Sequence, residues 1–510
     1  MTASPHAVRI RSALAGVAAG LVLVAVAEFA SLLFSASSAP FVAVGGAFVD
    51  LIPGALKDVV VALFGTADKL VLFLCMGVVY LALTAGIGLL GVRRIGDAVL
   101  ALTALGVLAA VVVMTRPENA PASMLPTLLG TAFGAPVLLL LLRRAARSSE
   151  DGTGRRDLLV TGAVAIGAVL LGAGARAVNA GRSAAEAAAR RFTIPTPTAP
   201  APAVPASAQV TLEGMPGVVT ANTDFYRIDT ALAVPRVDPS TWSLRVVGLV
   251  DQELTVSFEE LLAEPAIETT VTLTCVSNEV GGDLAGNARW IGVPVRTLLA
   301  RAGVQDGADM VLSRSVDGFT ASTPLEALTD DRDAILAVAM NGEALPTEHG
   351  YPVRMVVPGL YGYVSATKWV EELRVTTFAQ ETAYWTTRGW SEKGPIKTAS
   401  RIDVPRDGDR LEADDAGAVT LGGTAWAQHR GVEGVQVQID DGPWQDATLA
   451  TSISADTWVQ WSLPWTGATP GEHTARVRAT DATGEQQTST EAPPAPDGAS
   501  GWHEVSFSVR

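Results

Sequence analysis

The sequence predicts a three-part chain: an α-helical membrane domain of about five spans, an α+β domain, and a C-terminal all-β sandwich. Three observations carry that expectation. Composition changes sharply near residue 192. Residues 1–191 hold 16 Lys and Arg, 10 Asp and Glu and no tryptophan, whereas the remainder holds 21, 42 and all eleven tryptophans. The apolar runs that reach the roughly 20 residues needed to cross a bilayer lie before that point. After about residue 399 the chain breaks into short β-segments such as 435–440 and 473–479, separated by Asp-Gly, Pro-Gly and Thr-Gly turns, as in a sandwich. These shifts place a transmembrane anchor over 1–180, a proline-rich linker over 181–207, the α+β domain over 208–398 and the sandwich over 399–510.

The apolar runs are 12–34, 70–91, 95–115, 122–142 and 157–177. Residues 40–66 are also apolar but carry Asp50, Pro53, Lys57 and Asp58. That stretch is expected as an interfacial or re-entrant segment in preference to a sixth span. Positive charge sets the orientation. With five spans and the N-terminus inside, the cytoplasmic segments hold Arg9, Arg11, Arg93, Arg94, Arg143, Arg144, Arg147, Arg155 and Arg156, and the outer loops hold Lys57, Lys69 and Arg116. Everything after about residue 178 then lies outside the cytoplasm, on a multi-pass protein of the cell membrane. Arg155-Arg156 ahead of the Ala/Gly-rich fifth run has the form of an internal twin-arginine export signal, or of two ordinary positive-inside arginines. No span carries a histidine, which excludes bis-histidine haem ligation there. Glu28, near the outer end of the first span, is expected at the interface.

Beyond the anchor, residues 193–207 carry five prolines and are expected as a semi-rigid polyproline stalk. The part after residue 191 has a net charge of −21 against +6 before it, which argues against nucleic acid as a partner. In the α+β domain, residues 243–250 alternate as a strand does, and 269–275 are β-branched. Ser257 with Glu260 three residues on has the form of a helix-capping box. Residues 294–303 begin with proline and end with glycine, as short helices do.

Chemistry concentrates at Cys275. It is one of two cysteines, and its segment reads Thr-Leu-Thr-Cys275-Val-Ser-Asn278-Glu279. Cys75 lies in an apolar run and is expected in the membrane, so no disulfide joins them. Three further segments accompany it in order: Asn222-Thr-Asp-Phe-Tyr-Arg-Ile-Asp229; Ala288-Arg-Trp-Ile-Gly-Val-Pro294; and His349-Gly-Tyr-Pro-Val-Arg354, leading through Val357-Pro-Gly-Leu-Tyr361 to Ser365-Ala-Thr-Lys-Trp369. In order and spacing, across about 180 residues, these resemble the sulfite oxidase family of molybdopterin-dependent oxidoreductases.

The resemblance implies molybdenum held by molybdopterin, with Cys275 as the protein ligand to the metal. It implies Arg227 beside Cys275 as a catalytic residue. It implies Thr223, Tyr226, Arg227, Asn278, Arg289, Ser315, His349, Arg354, Ala366, Thr367 and Lys368 as cofactor contacts, Ser315 by position alone. The residue types suit that chemistry. A soft thiolate suits the metal, whose charge deprotonates it. Arg354 and Lys368 suit a phosphate. Plainer roles stand beside these: an inert buried cysteine, Arg289 and Trp290 as scaffold, Tyr361 and Tyr363 as packing, and Arg227 paired with an acid.

One departure bears on the substrate. Sulfite oxidases continue Cys-x-x-Asn-Arg-Arg, and here Asn278 is followed by Glu279, Val280 and Gly281. The lost cations weaken attraction for sulfite, and the family also contains S- and N-oxide reductases, such as those acting on methionine sulfoxide. The reaction implied is two-electron oxygen-atom transfer on a small molecule. The chain has no haem or iron–sulfur motif, so an external carrier, a cytochrome or a quinone-linked partner, is expected. The C-terminal segments resemble the family's immunoglobulin-like dimerisation domain, which implies a homodimer, with Trp426, Trp444, Trp458, Trp461 and Trp465 filling the sandwich core. The rival expectation is a non-catalytic cell-surface binding protein.

Overall fold

The structure is a computed structural model and describes residues 5–52, 63–64, 67–117, 119–151, 154–189, 192–415 and 417–510. It divides into two compact units: Met1–Arg190 with Thr230–Arg236, and Arg191–Asp229 with Val237–Arg510.

The first unit is helical: α1 (Pro5–Ser31), α2 (Pro40–Leu51), α3 (Asp68–Leu90), α4 (Ile95–Met114), α5 (Leu125–Asp151) and α6 (Gly154–Ala189). Five of these contain stretches long and apolar enough to cross a membrane: His6–Ser31, Asp68–Leu90, Ile95–Met114, Pro121–Arg147 and Arg155–Val178. They overlie the five expected runs. The twelve-residue α2 is too short to span and ends near Asp50, which pairs with Arg116 at 2.7 Å. Pro53, Lys57 and Asp58, on which the interfacial expectation rested, lie outside the described residues. Small residues let the helices touch, as in membrane bundles. A Cβ on Gly16 of α1 would lie 2.0 Å from the Thr84 carbonyl of α3, and one on Gly88 would lie 2.0 Å from the Ser12 carbonyl.

The second unit opens with an α+β part containing β1 (Ser243–Gly248), β2 (Leu254–Ser257), α7 (Phe258–Ala263), β3 (Ile267–Thr274), β4 (Ala285–Pro294), α8 (Val295–Ala302), β5 (Met310–Ser315), β6 (Thr320–Pro324), α9 (Glu326–Thr329), β7 (Ile335–Met340), β8 (Glu343–Ala344), β9 (Arg354–Val356), α10 (Gly362–Ser365) and β10 (Val370–Thr376). One sheet runs β2-β1-β10-β5-β6, with β1 and β10 parallel. The other runs β3-β4-β7-β8, with β9 on β7. The capping box forms: the Glu260 amide donates to Ser257 Oγ and the Ser257 amide to the Glu260 carboxylate. Gly303 closes α8 at φ 68°, a left-handed position natural to glycine. Strand β3 is buried along its last six residues instead of alternating, because both of its faces are covered. Thr272, on that strand, is accommodated by donating to Asn287 Oδ1 and accepting from the Trp458 amide.

The C-terminal part has two sheets. One joins Ala399–Val404, Ala418–Trp426, Val459–Thr466 and Thr448–Leu449; the other joins Arg410–Leu411, His503–Val509, Gly471–Asp481, Val432–Ile439 and Trp444–Asp446. Leu421, Val437, Trp461, Val477 and Phe507 meet between them.

Two expectations are corrected. The proline-rich segment is not a free stalk. Within this unit the Thr198 amide donates to the Ala266 carbonyl at 2.8 Å and the Glu268 amide to the Ala199 carbonyl at 2.9 Å, alongside the start of β3. Enough non-proline residues remain to supply donors, and pairing satisfies the edge of the strand. The five tryptophans also do not share one core. Trp461 lies between the sheets with Trp465 half-buried against the same cluster, Trp426 and Trp458 pack with the α+β core, and Trp444 meets Trp502 edge to face at the half-exposed edge. A tryptophan on a strand faces one of two sides, and both sides of these sheets are partly covered.

Candidate active site

Strand β3 delivers Cys275 into a turn that its own bonds close. The Cys275 amide donates to the Leu284 carbonyl at 2.9 Å, the Asn278 amide to the Cys275 carbonyl at 3.1 Å, and the Leu284 amide to Asn278 Oδ1 at 2.8 Å. Asn278 therefore holds the loop. The thiol is buried, 8% exposed. Burial pushes its pKa up, opposed by hydrogen bonds from Ser277 and by the Lys368 charge.

Opposite the thiol lies a cluster of cations built on β9 and on the segment after α10. Gly350, at φ 110°, separates Arg354 from Lys368: a Cβ there would lie 2.9 Å from Arg354 Cβ and 3.2 Å from Lys368 Cα. Arg354 is 5% exposed, and its guanidinium stands 5.1 Å over the Trp290 ring. It donates to the His349 carbonyl at 3.2 Å and the Met355 carbonyl at 3.3 Å. No carboxylate pairs with it among the described residues. Burial lowers its pKa to about 10. Buried charges in proteins are normally paired or bind an ion, so this guanidinium suits an anionic group.

Lys368 is 9% exposed. Its Nζ bonds Asp229 at 2.9 Å and the Glu348 carbonyl at 3.1 Å, and sits 4.7 Å over the Trp369 ring. Burial lowers its pKa to about 8, against the pull of Asp229. Asp229 also accepts from Arg227 Nε at 2.9 Å, so one buried carboxylate serves two cations. His349 Nε2 donates to the Asn222 carbonyl at 3.1 Å. Burial and Arg354 hold its pKa near 4, leaving the ring neutral.

The remaining expected contacts divide. Tyr226 stacks on Phe225 with centroids 5.2 Å apart, and burial with the neighbouring Cys275 raises its pKa while Arg354 opposes. Its hydroxyl and the Thr274 carbonyl both face Gly362. Ser315 Oγ is buried without a partner among the described residues. Thr367 Oγ1 bonds Ser313 Oγ at 2.7 Å, and Ala366 closes α10. Two residues fall elsewhere. Thr223 is at the surface, bonded to Asp224. Arg289 pairs with Glu268 at 2.7 Å, on the face of β4 opposite its neighbour Trp290, because successive strand residues point to opposite sides.

Cys275, Tyr226, Arg227, His349, Arg354 and Lys368 are thus neighbours in one cluster, joined by hydrogen bonds or by the pull of close charges. Asp229 belongs with them and was not among the candidates. It closes the Asn222–Asp229 segment, but nothing local marks a carboxylate whose partner lies 139 positions away. A thiol, an unpaired buried guanidinium and an orphaned hydroxyl form a donor set that fits a metal carried by an anionic organic cofactor.

A family model described as oxidoreductase molybdopterin binding domain matches residues 231–385. The chain is 33% identical over 295 residues to human mitochondrial sulfite oxidase, covering 48% of this chain and 52% of that protein. It is 34% identical over 157 residues to the uncharacterized oxidoreductase YuiH of Bacillus subtilis, covering 31% and 76%. The structure of the sulfane dehydrogenase SoxCD from Paracoccus pantotrophus matches with a TM-score of 0.48 and 26% identity, over 59% of this chain and 85% of that one. The chain spans about half the length of the sulfite oxidases it matches. It belongs to the sulfite oxidase family of molybdopterin oxidoreductases, enzymes whose cofactor is molybdenum held by molybdopterin.

Proposed function

We propose that this protein is a membrane-anchored oxidoreductase that exchanges one oxygen atom and two electrons with a small molecule, in the manner of a sulfite oxidase. The observation that carries the reading is Arg354, a buried guanidinium without a carboxylate among the described residues, which with a buried cysteine flanks Tyr226. A non-catalytic surface module gives no account of that arrangement. The bound molybdenum would supply the two-electron chemistry. Cys275 would hold it as thiolate, Arg354 and Lys368 would neutralise the anionic end of the pterin, and Ser315 and Tyr226 would donate hydrogen bonds to it. Arg227, tethered by Asp229, would face the substrate side. His349, neutral and fixed through Asn222, would orient the pterin without adding charge.

The five apolar helices support multi-pass anchoring, and the arginine distribution supports an extracytoplasmic catalytic unit. Such a unit would be exported folded with its cofactor, which is the role proposed for Arg155-Arg156 at the start of α6. Electrons would pass to an external carrier. The C-terminal sheets would form the immunoglobulin-like module over 399–510, as in a homodimer.

Metal analysis of the purified full-length protein beside Cys275→Ala tests the reading. About one molybdenum per chain, lost or spectroscopically altered in the variant, is expected. A well-folded protein without molybdenum and pterin would sink it. Sulfite-dependent dye reduction then tests direction; oxidation of reduced dye by methionine sulfoxide would move the assignment to the reductases.

A further inference from the structure

The C-terminal sheets hold the outer side of the cysteine segment. Along β3, Gln428 Nε2 donates to the Thr272 carbonyl at 3.2 Å and to Thr274 Oγ1 at 3.0 Å, and the Thr272 amide donates to the Asp456 carbonyl at 3.0 Å. Past Cys275 the loop contains Gly281 and Gly282, and a Gly-Gly step left to itself has the widest backbone freedom a chain can have. Here both glycines are clamped. Arg401 Nη1 donates to the Gly282 carbonyl at 2.7 Å. The His503 ring covers Gly281, which sits at φ 78°; a Cβ there would lie 2.2 Å from two ring atoms.

The clamps are themselves fixed. Arg401 is buried, bonds Asp403 at 2.8 Å and lies 6.0 Å from the centre of the Trp426 ring. His503 Nδ1 accepts from the Ile402 amide at 3.0 Å, so the ring is oriented with its proton on Nε2. Gly501, two residues before His503, abuts Val280 of the same loop. The inner bonds of the loop run through Cys275, Asn278 and Leu284, with the Gly282 amide donating to the Glu279 carbonyl at 2.9 Å, and the Gly282 carbonyl and the open face of Gly281 are held by these outer contacts.

We infer that Arg401 and His503 are positioning residues for Cys275: the C-terminal sheets set the direction of the thiol by clamping the two glycines that follow it. The inference rests on Cys275 as the metal ligand, so its test uses a readout that needs no metal. Full-length Cys75→Ser protein, produced in a host without the pterin, is treated with iodoacetamide, and modification of Cys275 is followed by mass spectrometry. Arg401→Ala is expected to speed modification about tenfold, the scale of one lost hydrogen bond to a charged group, His503→Ala to speed it about as much by uncovering Gly281, and Arg401→Lys to restore most of the protection. Val477→Ala, in the core between the two sheets, lowers the melting temperature comparably and is expected to leave the rate within about twofold. Gly281→Ala speeds modification, and adding His503→Ala to it gives less than the product of the two separate effects, because the ring that the new methyl strikes is gone. Rates that follow melting temperature across all variants, Val477→Ala included, would overturn the inference, as would unchanged rates in both clamp variants. Failure of the ligand assignment shows up separately, as molybdenum retained unaltered by Cys275→Ala.

Discussion

The α+β part and the C-terminal sheets belong to one unit, yet they treat charge in opposite ways. In the sheets, cations meet carboxylates of their own, at the surface as in Arg476 with Glu504, whose side chains are 38% and 44% exposed, and under cover as in Arg401 with Asp403. In the α+β part, Arg354 is buried with no carboxylate among the described residues, and Lys368 shares Asp229 with Arg227. Surface pairs contribute little to folding, and buried unpaired cations oppose it. Cations kept buried beside a cysteine suit an anionic group. The comparison can be broken at Asp229, the carboxylate that Lys368 and Arg227 share. Asp229→Asn leaves two cations without a counter-ion, and a loss of about 3 kcal/mol in unfolding free energy is expected, together with faster loss of the pterin. Denaturant titration checks it; a loss comparable to that of a surface pair would mean Asp229 merely decorates the cluster.

Arg354 sharpens the contrast, because its two effects have opposite signs. Arg354→Met keeps the contact with Trp290 and removes the charge. Replacing a buried uncompensated charge by an apolar chain is neutral or stabilising, here by about 2 kcal/mol in the cofactor-free protein. The same change is expected to speed pterin release by up to about a hundredfold. A variant that is destabilised without cofactor and still retains it would show that Arg354 is structural.

How far this arrangement was legible in the sequence differs by element. The long apolar helices were plain because a run of that length and composition stands out whatever the neighbours. Cys275, Arg354 and Lys368 stood in segments with a fixed order. Arg289 stood in such a segment too, but strand alternation sends it to Glu268, and only the paired strand shows which face is which. Asp229 was in view without its partners, since pairing with Lys368 depends on folding. The proline-rich segment was legible as extended but not as docked, because the backbone it pairs with carries no sequence signal.

Acid offers the next test. Burial holds the His349 pKa near 4, against about 6.5 in an unfolded chain. Between those values the unfolded state takes up a proton that the folded state refuses. The stability is therefore complete above pH 6.5 and drains away as pH falls toward 4, by about 2 kcal/mol at pH 5. His503 is shifted in the same direction, so His349→Gln is expected to remove about half of the histidine contribution to this loss. Melting temperatures at pH 7 and pH 5 measure it, and an unchanged difference in the variant would mean that His349 is solvated.

The smallest effect belongs to the sheets and completes the contrast. Glu504→Gln removes the partner of Arg476 at an exposed site, and less than about 1 kcal/mol is expected. That contribution should vanish in salt, because the screening length falls from about 10 Å at 0.1 M to about 3 Å at 1 M. The Asp229→Asn loss should persist in the same buffer, since ions do not enter between Asp229 and Lys368, both nearly enclosed. Salt dependence, read by denaturant titration of the two variants side by side, therefore separates the surface pair from the buried one more cleanly than magnitude does. Equal salt sensitivity would show that the cluster beside Cys275 is open to solvent and would remove the ground for treating Arg354 as a desolvated anion acceptor.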